Sequence, residues 1–421
     1  MADQDRHAPK VRQETGETLA GAVAPTSTGS RPAARSMMPC AIDAMPRKVE
    51  VAPRKVEVAP ALAEKPAFAE LPAVPAVPDL PAMPALRTPF YGTQAPRYAA
   101  LDLGTNNCRL LIARPDGPSF RVVDAFSRIV RLGEGVSKSG RLSEAAMERT
   151  MEALHICRRK MDERNVSRTR LVSTEACRAA ENGREFLARI ERETGLSLEL
   201  LNREGEAHLA AAGCAALADE RASSVILFDI GGGSTELVWL SVKNCGHEDI
   251  RSRIRAWTSM PVGVVTLAER HGGVHVCGKT FESMVEETGA MLAPFAAEAR
   301  AANAEPGFHL LGTSGTVTTL GGIFLGLERY DRRRVDGLWM KAQEIDGVLQ
   351  ELLAMSYRER AENGCIGRER ADLVLAGCAI FEAIRRAFPA KRVRIGDRGL
   401  REGMLMEMMR EDGVLRRRPM R

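Results

Sequence analysis

Phe228–Leu240 reads FDIGGGSTELVWL, and far upstream Ala100–Ala113 reads ALDLGTNNCRLLIA. In each, an apolar strand closes on an aspartate, Asp229 or Asp102, a glycine-bearing turn follows, and a second apolar strand leads away. Gly231, Gly232 and Gly233 let the backbone approach a bulky anion without a Cβ in the way. Ser234 and Thr235 add donors there, as Thr105, Asn106 and Asn107 do after Gly104 in the first copy. Either turn alone would also describe a plain hairpin with an Asx turn. Two copies in one chain predict two similar α/β halves facing each other, with paired loops able to enclose one phosphate chain.

Outward from these hairpins, the pattern predicts a third strand over 120–127 and helices over 143–163 and 182–194, with a strand over 170–173 between them. A helix over 204–218 precedes the second hairpin, and a strand over 251–259 follows it. Later elements are a strand and glycine turn over 309–315, a helix over 316–326, helices within 342–355 and 368–386, a strand over 392–395 and a helix from Leu400.

Residues 1–95 have a different texture. They are rich in Ala and Pro, carry the tandem repeat PRKVEVAPRKVEVAP at Pro46–Pro60, and include LPAVPAVPDLPAMPAL at Leu71–Leu86. Prolines at that frequency oppose helix and paired strand, and the composition lacks the apolar surface to offset ordering. A disordered arm is expected there, then an N-terminal domain over 96–218, a C-terminal domain over 219–415 and a basic tail over 416–421.

Apolar residues make up 44% and charged residues 27% of the chain, and the net charge is only +5, so nucleic acid is not an expected partner. The nine cysteines form no C-x-x-C pair, which points to buried reduced thiols rather than zinc or a disulfide framework. No apolar signal-like segment opens the chain, and the best apolar run, Leu373–Ile384, is interrupted by Glu382 and too short for a span. The expected location is cytoplasmic, with no membrane partner.

The motifs together resemble the exopolyphosphatase/guanosine pentaphosphatase family, within the actin–Hsp70–sugar kinase superfamily. They are DLGTNN at Asp102, DIGGGSTE at Asp229, RLGEGV at Arg131–Val136, STEACRAAEN at Ser173–Asn182, GEAHL at Gly205–Leu209, SMPVGVVTL at Ser259–Leu267, GTSGTVTTLGGI at Gly312–Ile323 and DRGLREGML at Asp397–Leu405. The likeness spans roughly residues 97–412. It implies an α/β fold of two similar ribonuclease H-like, actin-like ATPase domains with a cleft between them.

The resemblance also implies roles. Glu206 aligns with the family's catalytic carboxylate and inherits the task of polarising the attacking water. Two neighbours depart from the E-E-A-R pattern, since Gly205 replaces an acid and His208 an arginine. Arg178 and Arg131 are expected phosphate ligands, Arg178 as a bidentate clamp. Asp102, Gly104, Thr105, Asn106, Asn107, Gly231, Gly232, Gly233, Ser234 and Thr235 form the expected phosphate loops. Asp229 and Glu236 are the candidate ligands of Mg²⁺, whose preference is for hard oxygen donors, and a monovalent cation is a further expectation. Ser314 falls where the superfamily holds a nucleotide, although Gly312, Gly315 and Gly322 read better as close helix–strand packing.

The expected reaction is release of terminal orthophosphate from inorganic polyphosphate. The alternative substrate is guanosine pentaphosphate, converted to the tetraphosphate. A sugar or acid kinase and a non-catalytic polyphosphate sensor are the remaining readings, disfavoured by the STEACR and DRGLREGML motifs and by an intact Glu206. A homodimer is expected. The chain stops soon after DRGLREGML, where longer family members add helical domains, so processive action on long chains is not implied.

Overall fold

A computed structural model describes residues 95–242 and 250–415. Residues 1–94 of the expected arm, the basic tail, Cys40 and Cys245 lie outside the described residues.

The first sheet contains β1 (Tyr98–Leu103), β2 (Asn107–Asp116), β3 (Ser119–Ile129), β4 (Arg168–Ser173) and β5 (Glu199–Leu200), in the order β3-β2-β1-β4-β5. The second contains β6 (Ser224–Ile230), β7 (Thr235–Ser241), β8 (Ile254–Met260), β9 (His309–Thr313), β10 (Trp339–Lys341) and β11 (Arg392–Ile395), in the order β10-β11-β9-β6-β7-β8. In each, an antiparallel meander of three strands is joined on its inner side to a parallel strand, β1 to β4 and β6 to β9. A further parallel strand follows, β5 or β11. The two halves thus repeat one topology, as the twin hairpins predict.

Parallel pairing needs a helical crossover, which the Glu144–Glu163 helix supplies between β3 and β4. Ser143 caps it by accepting from the Ala146 N–H, and its apolar stripe of Met151, Leu154, Cys157 and Met161 joins Leu101, Leu103, Leu110 and Ile112 in one core. The larger core of the second half is built on Phe228, Phe281, Phe295, Phe381 and Phe388.

Between the sheets run the helices Arg203–Cys214 and Leu400–Glu411. Ala207, Ala210, Ala211 and Cys214 pack on Val225, Leu227, Val238 and Leu311 of the second sheet. Leu209 joins Leu400, Met404, Leu405, Met408 and Met409 against Tyr98, Ala100, Leu111 and Val172 of the first. The helices cross so closely that a Cβ on Gly213 would lie 2.0 Å from the Gly399 carbonyl oxygen, and one on Gly403 2.2 Å from that of Leu209. A division at 218/219 assigns Leu400–Glu411 to the second half, whereas the structure packs this helix on the first sheet.

Other differences are local. The stretch read as a strand from Arg251 opens with a helical turn, Ile250–Arg253, before β8, and the helix read from Arg368 starts at Val374. The 21-residue helix Gly278–Glu298 has no counterpart in the sequence reading: Gly289 and Pro294 interrupt its pattern, and Cys277 provides no side-chain cap. Six of the seven described cysteines are buried free thiols and Cys277 is exposed. Among the described residues no helix is long and apolar enough to cross a membrane.

Candidate active site

Antiparallel pairing places Asp102 directly opposite Arg109 across the first hairpin, and Asp229 directly opposite Glu236 across the second. Cross-strand partners share a face, so each hairpin presents an aspartate and one further charged side chain to the cleft between the halves. Asp102, Arg109, Asp229, Glu206 and Glu236 all line this cleft, which has about 990 Å³ of open space. Thr105, Asn106, Ser234, Ser314, Thr316 and Arg370 also line it.

Each turn is closed by one backbone bond, Gly104 N–H to Asn107 O at 2.9 Å and Gly231 N–H to Ser234 O at 2.9 Å. The loops then press on each other. A Cβ on Gly232 would stand 2.9 Å from Thr105 Cβ, and one on Gly233 2.7 Å from Thr105 Oγ1. Close approach of the first loop, as well as room for an anion, therefore demands glycine at 232 and 233. Thr235 turns inward and donates to the Val262 carbonyl at 2.6 Å, so its side chain serves the fold; its backbone begins β7. Asn106 is buried, with Oδ1 lacking a hydrogen-bond partner among the described residues.

Glu206 sits in the first turn of its helix, whose cap is Asn202 Oδ1 accepting from the Gly205 N–H at 2.7 Å. A Cβ at position 205 would fall 2.9 Å from Leu201 Cδ1 and 3.0 Å from that capping oxygen. Glycine suits this capped turn. His208 points away, pairing through Nε2 with Glu407 at 2.8 Å, so neither departure from E-E-A-R removes a group from the cleft.

Burial is the main electrostatic fact of the floor. It raises Glu206 to about 7, with Arg178 opposing the shift and Asp102 and Asp229 adding to it. Asp229 is raised to about 6 by burial, against the pull of Arg109 and with the push of Asp102. Asp102 is raised by burial against Arg109. Glu236 is pushed well above the usual range by burial and by Glu206 and Asp229, although Ser259 donates to it at 2.8 Å. Four mutually repelling carboxylates on a buried floor are suited to a cation. No three acidic, histidine or cysteine side chains among the described residues form a ready-made metal cage. The donor set fits an ion held by one or two carboxylates and completed by water and substrate oxygens.

Two expected phosphate ligands are engaged otherwise. Arg178 donates from Nε and Nη2 to Glu175 Oε2 at 2.9 and 2.6 Å, from Nη2 to Glu206 Oε2 at 3.0 Å, and from Nη1 to the Leu201 carbonyl at 2.5 Å. Its fork grips two carboxylates, those of Glu175 and Glu206. Arg131, at a left-handed φ of 48°, reaches across the cleft edge. It donates to both oxygens of Asp372 at 3.0 Å and to the Glu369 carbonyl at 3.0 Å.

Sequence reasoning missed Arg109 and Arg370. Both line the cleft, and among the described residues neither guanidinium has a hydrogen-bond or ion-pair partner. The strand register opposite Asp102 is the signal that could have found Arg109. Gly312 and Gly322 are packing glycines as read, against Phe228 and Cys365. Ser314, at a φ of 96°, and Gly315 instead face the cleft at the start of the Gly315–Phe324 helix, whose first N–H groups suit an anion.

The profile of the Ppx/GppA phosphatase family matches residues 111–412. This chain belongs to the Ppx/GppA phosphatase family. A guanosine-5'-triphosphate,3'-diphosphate pyrophosphatase of Aeromonas hydrophila is 29% identical over 316 residues, 75% of this chain and 60% of that protein. The chain therefore spans about 60% of the length of the curated relatives it matches. The crystal structure of the Aquifex aeolicus Ppx/GppA family member superposes with a TM-score of 0.61 at 28% identity, covering 76% of this chain and 99% of that one. An exopolyphosphatase-like protein gives a TM-score of 0.67 at 28% identity, with 75% and 98% covered. The fold is the two-domain actin-like α/β architecture of these Ppx/GppA proteins.

Proposed function

We propose that the chain hydrolyses the terminal phosphoanhydride bond of inorganic polyphosphate, releasing orthophosphate. The carrying observation is the state of Glu206. Arg178 fixes one carboxylate oxygen at 3.0 Å, burial keeps the group basic at neutral pH, and the side chain lines the cleft between both phosphate loops. A water against the other oxygen passes its proton to Glu206 as it attacks phosphorus in line, and the bond to the bridging oxygen breaks.

Donors for the phosphates come from both halves: the Thr105–Asn106 and Gly231–Ser234 turns, Arg109, Arg370 and the start of the Gly315–Phe324 helix. Their spread across the cleft supports a run of successive phosphates. Asp229 and Glu236, with Asp102 acting through water, would hold Mg²⁺, which would neutralise the terminal and bridging oxygens. A second reading is guanosine pentaphosphate as substrate, favoured by the names of the Aeromonas relatives. Both readings share the loops and the base. Phosphate release from purified protein given long polyphosphate, short polyphosphate and guanosine pentaphosphate tests them. Preference by more than about tenfold in kcat/KM assigns the substrate, and no release from any of the three, with Mg²⁺ present, overturns the proposal.

A further inference from the structure

The two carboxylates read as ion ligands stand in a row that the register lays down strand by strand. Ser259 of β8 is directly opposite Glu236 of β7, Glu236 is opposite Asp229 of β6, and Asp229 is beside Thr313 of β9. Cross-strand partners share a face, so all four side chains belong to one side of the second sheet. Ser259 donates its hydroxyl to Glu236 Oε1 at 2.8 Å, yet Glu236 lines the cleft and Ser259 does not.

This contact makes the two carboxylates unequal. Asp229 has no hydrogen-bond or ion-pair partner among the described residues, so both of its oxygens are free. Glu236 is only 2% exposed and has one oxygen engaged. The Ser234 hydroxyl lies near the same carboxyl group, but it belongs to the turn that meets phosphate, so Ser259 is the donor independent of the cleft's contents. Nor does the sheet require the contact. Ser259 is part-exposed on an edge strand, and its hydroxyl is free to turn to water instead.

A two-pronged grip on an ion needs both oxygens of a carboxylate and freedom for its plane to turn. Ca²⁺ takes about six to eight oxygens and commonly grips a carboxylate by both. Mg²⁺ is smaller, demands near-octahedral geometry and is held by one or two carboxylates, with water and phosphate completing the shell. We infer that Ser259 is a positioning residue for the ion site: by engaging Glu236 Oε1 it limits that carboxylate to ligation through one oxygen, and so favours Mg²⁺ over Ca²⁺. The inference rests on the reading of Asp229 and Glu236 as ion ligands within the proposed phosphohydrolase.

Its test needs no turnover. Mn²⁺, followed by its electron paramagnetic resonance signal, is bound to the full chain and displaced by Mg²⁺ or by Ca²⁺, in wild type, Ser259→Ala and Ser259→Thr. Asp229→Asn marks the part of the signal that belongs to this site. Wild type should release Mn²⁺ at an Mg²⁺ concentration about tenfold below the Ca²⁺ concentration required, and Ser259→Ala should bring the two within about twofold. Ser259→Thr keeps the hydroxyl and should keep the wild-type ratio. Ser259→Cys, similar in shape with a weak donor, replaces the alanine variant if that one does not fold. A serine that served only the fold would alter the melting temperature and leave the ratio alone. An unchanged ratio in the folded alanine or cysteine variant therefore overturns the inference, and so does wild type that binds Ca²⁺ as tightly as Mg²⁺. A shift in Ser259→Thr equal to that in Ser259→Ala overturns it too, since the hydroxyl is then not what counts. No Asp229-dependent signal in wild type removes the ion site and this inference with it, while phosphate release from polyphosphate remains the separate test of the phosphohydrolase reading.

Discussion

Arg178 Nη2 donates to Glu206 Oε2 at 3.0 Å while the same nitrogen holds Glu175 Oε2 at 2.6 Å. Glu175 is in turn bridged by Arg203 at 3.2 Å, so the orientation of Glu206 depends on a chain of alternating charge that runs from the cleft out to an exposed arginine. Arg178→Lys keeps the charge and loses the fork. The expected result is a fall in kcat of about tenfold to a hundredfold with KM changed less than about threefold, because the substitution disorders the base and not a phosphate contact. Steady-state kinetics decide it. A rise in KM with kcat intact would return Arg178 to the role of phosphate clamp.

Glu206→Gln retains shape and the contact with Arg178 while removing basicity. Turnover should fall by about 10²–10⁴-fold, the usual worth of a general base. Binding of polyphosphate, measured by calorimetry, should persist because the turns at Asp102 and Asp229 are untouched.

The same carboxylate sets the pH profile. Glu206 is raised to about 7, chiefly by burial, so it carries a proton below that pH and cannot accept one from water. The kcat/KM of the wild type should therefore decline with acidification through pH 7, by about tenfold per unit. A cation on Asp229 and Glu236 moves the limb to lower pH by relieving their repulsion of ionised Glu206. A flat profile down to pH 5 contradicts the assignment.

Arg131 and Asp372 form a bidentate pair across the halves, with side chains 31% and 23% exposed. Glu269 adds a second bridge by accepting from the Gly135 N–H at 2.7 Å and from Ser137 Oγ. These contacts favour the closed cleft, so Arg131→Ala and Asp372→Ala should each raise KM about threefold to tenfold. A double-mutant cycle should return a coupling of about 1 kcal/mol, as expected for a half-buried bidentate pair. Additive effects mean the two residues act separately.

His309 bears on stability rather than catalysis. Burial against Trp339, whose ring lies 4.9 Å away, lowers it from 6.5 to about 4. Between those values the unfolded chain binds a proton that the folded chain refuses, so stability falls as pH drops from 6.5 to about 4 and is unaffected by this group above 6.5. The contribution is up to roughly 3 kcal/mol. Urea midpoints of wild type and His309→Gln at pH 7 and pH 4.5 test it, since differencing the two proteins removes the other titrating groups. Equal pH dependence in both proteins rejects it.

The doubled topology was legible because the hairpins at Asp102 and Asp229 are local: each lies within 14 residues and repeats its turn chemistry. Glu206 was legible only through the family resemblance, since a glutamate beside Arg203 and Glu204 looks like any solvated helix face. What stayed hidden depends on distant partners. Nothing near Arg178 in sequence says that Glu206 will take its donors, and nothing near Arg131 points to Asp372. The helix Gly278–Glu298 was hidden for a different reason, because a proline and glycines mask a periodicity that packing against Phe281, Leu292 and Phe295 restores.

The return of the Leu400–Glu411 helix to the first sheet also governs how the molecule comes into being. Tyr98, Ala100, Leu111 and Val172 are early in the chain, yet the residues that shelter them, Met404, Leu405, Met408 and Met409, are among the last described. Tyr98 Oη even donates to Asp412, at 2.7 Å. Between about 230 and 310 residues must therefore be translated between that surface and its cover, an interval of roughly 12–60 s at typical synthesis rates. Until then only Leu201 and Leu209 stand against that sheet face, so part of its apolar surface waits uncovered while the second half is made.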